Sequence, residues 1–318
     1  MRKILVTGAN GFIGRALCRY LAANYFDVQG LVRLAREREQ GIDYVELDLE
    51  KAGDLNVACH GVDCIVHLAG RAHVVSENDQ YPLKALRKAN CMASLRLARQ
   101  AVRSGVRRFI FISSVGVNGP ETSFRPFDEN EEEKPFADYA ISKFEAEMGL
   151  KKFFTDTDTE LVIIRPPLVY GVDAPGNFAR LLSLIATELP LPLGRINNRR
   201  SIVSVDNLVS LIVQCIEHPA AAGQLFLVSD GEDISTVEIV QALARGMDKK
   251  SLIISVPDVL LKFGAKLLKK ESLYVQLCRS LQIDSSKAQN LLDWKPIRTT
   301  TEMLEEVGRL YACRKFET

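Results

Sequence analysis

The sequence predicts an α/β protein in which a Rossmann-type, doubly wound parallel sheet is followed by a smaller, mostly helical C-terminal lobe. Three observations support this fold class. Short apolar runs alternate with amphipathic stretches through the first 170 residues, a glycine-rich turn follows the first run, and helical patterns dominate from residue 235 onward. Apolar runs this short suit strands that are buried on both faces of a parallel sheet. Alternating strand and helix signals are typical of the doubly wound arrangement.

The predicted strands of the first half are, in chain order, Ile4–Val6, Val28–Val32, Tyr44–Leu47, Cys64–Leu68, Phe109–Ile112 and Leu161–Ile164. The clearest helical patterns between them are Phe12–Ala23, Pro82–Arg103 and Tyr139–Phe153. Two more short strands, near residues 202–203 and 225–228, are expected to return to this sheet or to a neighbour of it. We therefore expect a cofactor domain over residues 1–172, rejoined by residues 202–230, and a substrate lobe over residues 173–318.

Composition and charge argue against several classes of protein. The 318 residues carry 41 Lys and Arg against 40 Asp and Glu, a formal net charge of +1, whereas nucleic-acid-binding proteins carry an excess of cations. No apolar run approaches the roughly 18 residues of a membrane-spanning helix, and no secretory signal is expected. The seven cysteines form no CxxC pair and there are only four histidines, so neither disulfides nor a metal site is expected. We expect a cytoplasmic protein.

The first predicted strand leads directly into a glycine-rich turn in which a helix begins. Gly8 permits the tight turn, Gly11 lets a pyrophosphate approach the backbone, and Gly14 lets the helix pack on the strand. The free N–H groups at the start of the helix attract phosphate. This context predicts a dinucleotide site formed by Gly8, Asn10, Gly11, Phe12, Ile13 and Gly14.

Further motifs follow along the chain. They are Asp48-Leu49 after the third strand, His67-Leu68-Ala69-Gly70 at the end of the fourth, Asn90 on the next helix, and Arg165-Pro166-Pro167-Leu168-Val169-Tyr170-Gly171 after the sixth. Near the C-terminus stand Asp284–Ala288 and Leu292–Pro296, the latter with Asp293 where glycine is usual. With the glycine spacing, these motifs resemble the extended short-chain dehydrogenases/reductases, the NAD-dependent epimerase/dehydratase family, over most of the chain. The resemblance implies cofactor contacts from Asp48, Leu49, Leu68, Ala69, Gly70, Asn90 and Pro166.

The end of the second strand bears on which dinucleotide binds. An acidic residue there contacts the ribose 2′-hydroxyl of NAD, whereas an arginine accommodates the 2′-phosphate of NADP. The strand ends in Val32-Arg33, and no acid follows before Glu37. We therefore expect NADP(H) rather than NAD(H), with an ordinary surface arginine as the alternative interpretation of Arg33.

A Y-x-x-x-K pattern, Tyr139 to Lys143, predicts a proton-transfer group. Positions i and i+4 share a face of a helix, so Lys143 can bring its ammonium near the Tyr139 phenol. A phenol ordinarily has a pKa near about 10, and a nearby cation lowers it. Ser114, 25 residues upstream at the end of the fifth strand, would hydrogen-bond the same substrate oxygen. In the family that the chain resembles, residues at these three positions are catalytic, and the tyrosine and lysine also contact the cofactor.

The resemblance also implies a nucleotide-sugar substrate. Asn177 matches a loop that holds the nucleoside diphosphate, and either Arg199 or Arg200 matches an arginine that binds its phosphates. Arg279 is a candidate second phosphate ligand, and His73 is a candidate contact for the sugar, with a plain polar loop residue as the alternative. The apolar stretch over residues 260–268 is expected to pack inside the lobe or, if exposed, to be a partner or membrane-surface face.

With these residues, the resemblance implies an oxidoreductase that acts at C4 of a nucleotide-activated hexose. We expect the reduction of a UDP-4-keto-6-deoxy-N-acetylhexosamine, because Arg33 favours NADPH and a consumed cofactor is commonly NADPH. The chain resembles both UDP-N-acetylquinovosamine-forming 4-ketoreductases and UDP-glucose 4-epimerases, so the alternative is a UDP-hexose 4-epimerase that keeps NAD bound. A remote alternative is a non-catalytic NADP-binding sensor. A homodimer without nucleic-acid partners is expected.

Overall fold

The structure is a computed structural model that describes residues 2–35, 38–51, 53–72, 82–268 and 270–315. Its strands are β1 (Lys3–Thr7), β2 (Asp27–Val32), β3 (Ile42–Glu46), β4 (Cys64–His67), β5 (Arg108–Ile112), β6 (Glu160–Arg165), β7 (Leu168–Tyr170), β8 (Ile202–Ser204) and β9 (Leu225–Leu227). A seven-stranded sheet has the order β3-β2-β1-β4-β5-β6-β9, and all of its strands are parallel. The predicted α/β fold class is confirmed.

The helices are α1 (Phe12–Ala23), α2 (Asn56–Cys59), α3 (Pro82–Leu86), α4 (Ala93–Arg103), α5 (Asp138–Phe154), α6 (Asn177–Ile185), α7 (Val205–Glu217), α8 (Thr236–Gly246), α9 (Asp258–Leu267), α10 (Glu271–Cys278), α11 (Ser286–Leu292) and α12 (Thr300–Lys315). A π-helical segment, Arg87–Met92, joins α3 to α4, where the sequence predicted one regular helix. None of the helices within the described ranges is long and apolar enough to cross a membrane.

Both faces of the large sheet are covered, which explains the short apolar strands. Ile4 and Val6 of β1 share a core cluster with α1 and α7, whereas Leu5 between them belongs to a second cluster with α4 and α5. Successive side chains of a strand point to opposite faces, so each face of β1 contributes to a different core. The sheet therefore presents the C-terminal ends of its strands, and the loops that follow them, at one edge between two helical layers.

The C-terminal half contains a third core and a second, two-stranded sheet. β7 pairs in parallel with β8, while β9 returns to the large sheet beside β6. Helices α6, α8 and α12 pack together around buried residues such as Leu182, Leu243 and Leu304. The apolar stretch that was expected to pack inside this lobe is instead exposed: α9 contains no buried residue. The division of the chain at residue 172 stays a prediction.

Candidate active site

The glycine turn between β1 and α1 has the shape that phosphate binding requires. Gly8 has a φ of +70°, and a Cβ there would come within 3.0 Å of the Ala69 nitrogen. A Cβ on Gly14 would lie 2.1 Å from the Gly8 carbonyl oxygen, so only glycine lets α1 pack this closely. Gly11 provides no side-chain cap and no acidic residue stands in the first turn of α1, which leaves N–H groups for an anion. The turn therefore fits the diphosphate of a dinucleotide.

The other predicted cofactor contacts follow strands that pair side by side, since β1 lies between β2 and β4. The exposed residues at this edge include Asn10, Arg33 and Gly70. Asp48 is partly buried, and its Oδ1 accepts a hydrogen bond from the Glu50 N–H at 3.0 Å, which fixes the turn after β3. The partly buried candidates are Phe12, Ile13, Leu68 and Ala69, and the buried ones are Leu49 and Pro166. Their contact with a cofactor stays a prediction.

A buried chain of hydrogen bonds runs through His67 at the end of β4. His67 Nδ1 lies 2.7 Å from Thr7 Oγ1, and Nε2 lies 2.8 Å from Ser94 Oγ. Thr7 Oγ1 also accepts from the Ala69 N–H, and Ser94 donates to the Asn90 carbonyl at 2.6 Å. Because Ser94 uses its only hydrogen on that carbonyl, we assign the His67 hydrogen to Nε2 and the acceptor to Nδ1. Burial is the main cause that lowers the pKa of His67 to about 3, so the ring is neutral.

Asn90 connects this chain to α5, the helix that carries the Y-x-x-x-K pattern. Its amide oxygen accepts from the Arg71 N–H at 2.8 Å and its amide nitrogen donates to the Arg71 carbonyl at 3.0 Å. The same nitrogen donates to Ser142 Oγ at 2.9 Å, and Ser142 donates to the Tyr139 carbonyl. Asn90 lies in the π-helical segment, a deviation that often occurs at functional sites. It holds the loop after β4 against α5.

The three candidate catalytic residues lie around the C-terminal end of β5. Ser114 follows the strand by two residues, and its Oγ accepts a backbone N–H at 3.1 Å. Lys143 is buried, and its Nζ donates to the carbonyl of Ile112, the last residue of β5, at 2.8 Å. A Cβ on Gly70 would lie 3.5 Å from Lys143 Nζ, so the loop after β4 passes beside the lysine. Tyr139 is partly buried in the first turn of α5.

The electrostatics of this site differ from the prediction. Burial raises the pKa of the Tyr139 phenol to about 12, whereas a lowered pKa was expected from the lysine. Burial also lowers the pKa of Lys143 to about 8, although the Glu147 carboxylate opposes this shift. The Lys143 ammonium itself donates to the Ile112 carbonyl and lies over the Phe111 ring, 4.5 Å from its centroid. The arrangement by itself therefore keeps Tyr139 protonated near neutral pH.

A fully buried ion pair fixes α5 against the sheet. Arg165 of β6 donates to Glu147 of α5, with Nη2 2.6 Å from Oε2, and both side chains are 0% exposed. The same guanidinium donates to Glu133 at 2.9 Å and to the amide oxygen of Asn118 at 3.0 Å. Buried charges need such complete pairing. Arg165 is therefore a structural residue.

The two arginines that compete for the phosphate role differ in burial. Arg200 is 9% exposed, and its Nη1 donates to the Arg279 carbonyl at 2.8 Å. Burial lowers the pKa of Arg200 to about 10, and none of the ion pairs within the described ranges includes it. Arg199 is exposed, and its Nη1 donates to the Asp233 carbonyl at 3.3 Å. Of these two arginines, Arg200 is therefore the buried one, and it lacks a carboxylate partner in the described part of the chain.

Helix α10 brings the remaining substrate candidates together. Asn177, exposed at the start of α6, donates to the Gln276 side chain of α10 at 2.6 Å. Arg279 follows α10 directly, with its guanidinium 3.7 Å from Glu121 and 5.3 Å from the centroid of the Tyr274 ring. The segment after Arg279 packs against the residue after Ser114, because Val115, Leu281 and Ile283 share one small core. The predicted His73 lies outside the described residues.

Ser113 and Arg71 are residues of this region to which the sequence analysis assigns no role. The Ser113 hydroxyl is buried without a hydrogen-bond partner among the residues that the structure describes. Arg71 forms an ion pair with Glu50 at 2.7 Å and so links the loops after β3 and β4. No sequence motif contains Arg71 and Glu50. Only its position beside Ser114 could have indicated Ser113. Within the described ranges, no group of three or more His, Cys, Asp or Glu side chains could hold a metal ion.

Residues 4–229 of the chain match the family model of the NAD dependent epimerase/dehydratase family. The chain belongs to this family. The match extends from β1 through β9 and therefore includes the glycine turn and all three candidate catalytic residues. The predicted family and the prediction of an enzyme of this type are confirmed.

Individual family members are similar along almost the whole chain. A UDP-glucose 4-epimerase of Vibrio cholerae is 40% identical over 313 residues, which cover 98% of this chain and 95% of that protein. An N-acetyl-alpha-D-glucosaminyl-diphospho-ditrans,octacis-undecaprenol 4-epimerase of Escherichia coli O157:H7 is 28% identical, over 90% of this chain and 88% of that protein. A solved UDP-glucose 4-epimerase of Thermotoga maritima, bound to UDP-glucose, superposes with a TM-score of 0.80 at 23% identity over 99% and 100% of the two chains. That superposition supports the fold.

Proposed function

We propose that this family member is a 4-epimerase of a hexose that is joined to a diphosphate, as in UDP-glucose. The observation that carries the proposal is the hydrogen bond from Lys143 of α5 to the Ile112 carbonyl at the end of β5. Ser114 follows that carbonyl by two residues, Tyr139 stands one turn before Lys143 on α5, and the loop after β4 passes beside the lysine and the glycine turn. The relatives at 40% and 28% identity are both named as 4-epimerases of diphosphate-linked sugars. This reverses the sequence-based preference for the ketoreductase.

In the proposed mechanism the residues of α5 and the β5 loop handle the proton of the C4 hydroxyl. The family's nicotinamide dinucleotide, held by the glycine turn, would supply a hydride acceptor and donor. Ser114 would hydrogen-bond the C4 oxygen, and Tyr139 would take the hydroxyl proton as C4 is oxidised and return it as C4 is reduced on the other face. Because the pKa of Tyr139 is near 12 here, its phenolate requires the charge of Lys143 in the reacting complex.

The buried Arg200 supports a diphosphate as the handle of the substrate. A guanidinium binds phosphate oxygens in pairs, and burial without a carboxylate partner raises the benefit of an anionic ligand. Helix α10 connects the three candidates. Asn177 donates to Gln276 of this helix, and Arg200 donates to the carbonyl of Arg279, which directly follows it. We propose that these three side chains bind the diphosphate, with Arg199 at the exposed margin.

One observation favours a second candidate, a 4-ketoreductase that consumes NADPH. Arg33 is exposed at the end of β2 and makes no hydrogen bond or ion pair with any of the residues that the structure describes. It is thus free to bind the 2′-phosphate of NADP. The preference for NADP(H), a cytoplasmic location and a homodimer all stay predictions.

The test is to incubate the purified protein with UDP-glucose or UDP-N-acetylglucosamine without added cofactor, and separately with UDP-4-keto-6-deoxy-N-acetylglucosamine and NADPH. Interconversion of gluco and galacto products in the first arm supports the epimerase. Oxidation of NADPH without interconversion would overturn it in favour of the ketoreductase. Tyr139→Phe should lower turnover about 10²- to 10⁴-fold while the fold persists, since general acid–base catalysis contributes about that much.

A further inference from the structure

We propose that α9 is a docking surface for a membrane that contains anionic lipids. Four large apolar side chains of this helix are strongly exposed: Val259 at 76%, Leu260 at 59%, Phe263 at 67% and Leu267 at 73%. Residues four apart share a helix face, so Val259, Phe263 and Leu267 form one stripe with Leu260 beside it. Contiguous exposed apolar surface of this kind marks an interaction site.

The helix is held in place with this stripe facing outward. Leu261, on the opposite side, packs against the core of the C-terminal lobe. Asp258 accepts a hydrogen bond at 2.7 Å from the hydroxyl of Tyr274, a largely buried residue of α10. The apolar stripe is therefore a fixed feature of a folded helix.

Charge complementarity selects anionic lipid as the occupant. Lys262 and Lys266 stand one turn apart along one edge of the stripe, and both are exposed. Neither forms an ion pair within the described part of the chain, and the exposed Lys270 stands between the end of α9 and the start of α10. Lysine stems can lie along an apolar surface while their ammonium groups reach lipid phosphates. A second copy of the chain would present the same cations, whereas anionic lipid neutralises them.

The docking surface is also close to the candidate diphosphate site. α10 follows α9, and it carries Gln276, which contacts Asn177, and ends at Arg279. A lipid surface against α9 would therefore lie one helix away from those residues. The inference goes beyond the proposed function, because it predicts lipid binding whether or not the chain epimerises a sugar.

The test is cosedimentation of the full chain with vesicles of phosphatidylglycerol and phosphatidylcholine, compared with vesicles of phosphatidylcholine alone. We expect binding to the anionic vesicles that weakens as salt is raised. Phe263→Ser should weaken it at least about tenfold because it removes most of one buried aromatic group. Lys262→Gln and Lys266→Gln should each weaken it about fivefold at low salt.

Phe124→Ser is the matched control, because Phe124 is a fully exposed phenylalanine between β5 and α5. It should bind anionic vesicles as the unaltered protein does. Far-UV spectra should be unchanged for both variants, since neither side chain is buried. Absence of binding to anionic vesicles, or equal binding by Phe263→Ser, would overturn the proposal. A change in oligomeric state caused by Phe263→Ser with unaltered lipid binding would instead identify a second copy as the occupant.

Discussion

The hydrogen-bond chain through His67 predicts that the folded protein loses stability in mild acid. Burial, and then the charge of Lys143, lowers the pKa of His67 from 6.5 to about 3 in the folded state. At pH values between these two pKa values, His67 binds a proton in the unfolded chain but not in the folded protein. The free energy of unfolding therefore falls as the pH falls below 6.5. From about pH 8 to about pH 5.5 this single group should remove about 1.4 kcal/mol from the free energy of unfolding. Above about pH 7.5 its contribution is nearly constant.

The assay is urea unfolding at the two pH values, followed by fluorescence. Trp294, the single tryptophan, is 4% exposed in the folded protein and so reports its unfolding. His67→Gln removes the titration and should be less stable at both pH values, by about 1–3 kcal/mol for the broken hydrogen bonds. Its loss between the two pH values should be about 1.4 kcal/mol smaller than that of the unaltered protein. The exposed His60 provides the control His60→Gln, which should keep the full loss.

Equal pH dependence in the unaltered protein and in His67→Gln would refute the reasoning. It would mean that the pKa of His67 in the folded protein is not lowered below its value in the unfolded chain.

Three further predictions follow from the site. Arg165→Met should lower the free energy of unfolding by about 3–5 kcal/mol, because Glu147 is left buried without its partner. In urea unfolding, adding Glu147→Leu should recover part of that loss. Strictly additive changes in the free energy of unfolding would contradict the pairing. Gly14→Ala should weaken NADH binding at least about tenfold in a fluorescence titration, since the new Cβ would lie 2.1 Å from the Gly8 carbonyl. Arg33→Asp should weaken NADPH roughly 10- to 100-fold and NADH much less; equal effects on both would exclude the phosphate role.

The sheet and the glycine turn could be predicted because their signals are local. A short apolar strand, a glycine turn and a helix follow one another within fifteen residues, and the backbone there leaves few alternatives. The predicted strand Tyr44–Leu47 differs only slightly from β3, Ile42–Glu46, because strand ends depend on the neighbouring strand. The π-helical segment Arg87–Met92 was not predicted. Ser94 and Asn90 contact His67 and Ser142, which are distant in the sequence, so these contacts leave no local signal.

The candidate substrate-binding residues were less predictable, because their contacts join segments that are distant in the sequence. Sequence alone could not choose between Arg199 and Arg200, and the difference in burial arises from the backbones of Ile234 and Leu281, which bridge to Arg200 on its two sides. The same limit applies to α9. The spacing of its apolar residues suits a buried or an exposed face equally, and only the rest of the fold decides which of them is covered.

The return of β9 to the edge of the large sheet has a consequence for folding. β9 pairs with β6 only after β7, α6, β8 and α7 have intervened, and α7 supplies Leu208, Leu211 and Ile212 to the core beside β1. A nascent chain that ends near residue 172 would therefore carry an open strand edge and an uncovered apolar sheet face. Truncation there should yield an aggregating fragment, and co-translational folding of this sheet must wait until β9 has left the ribosome.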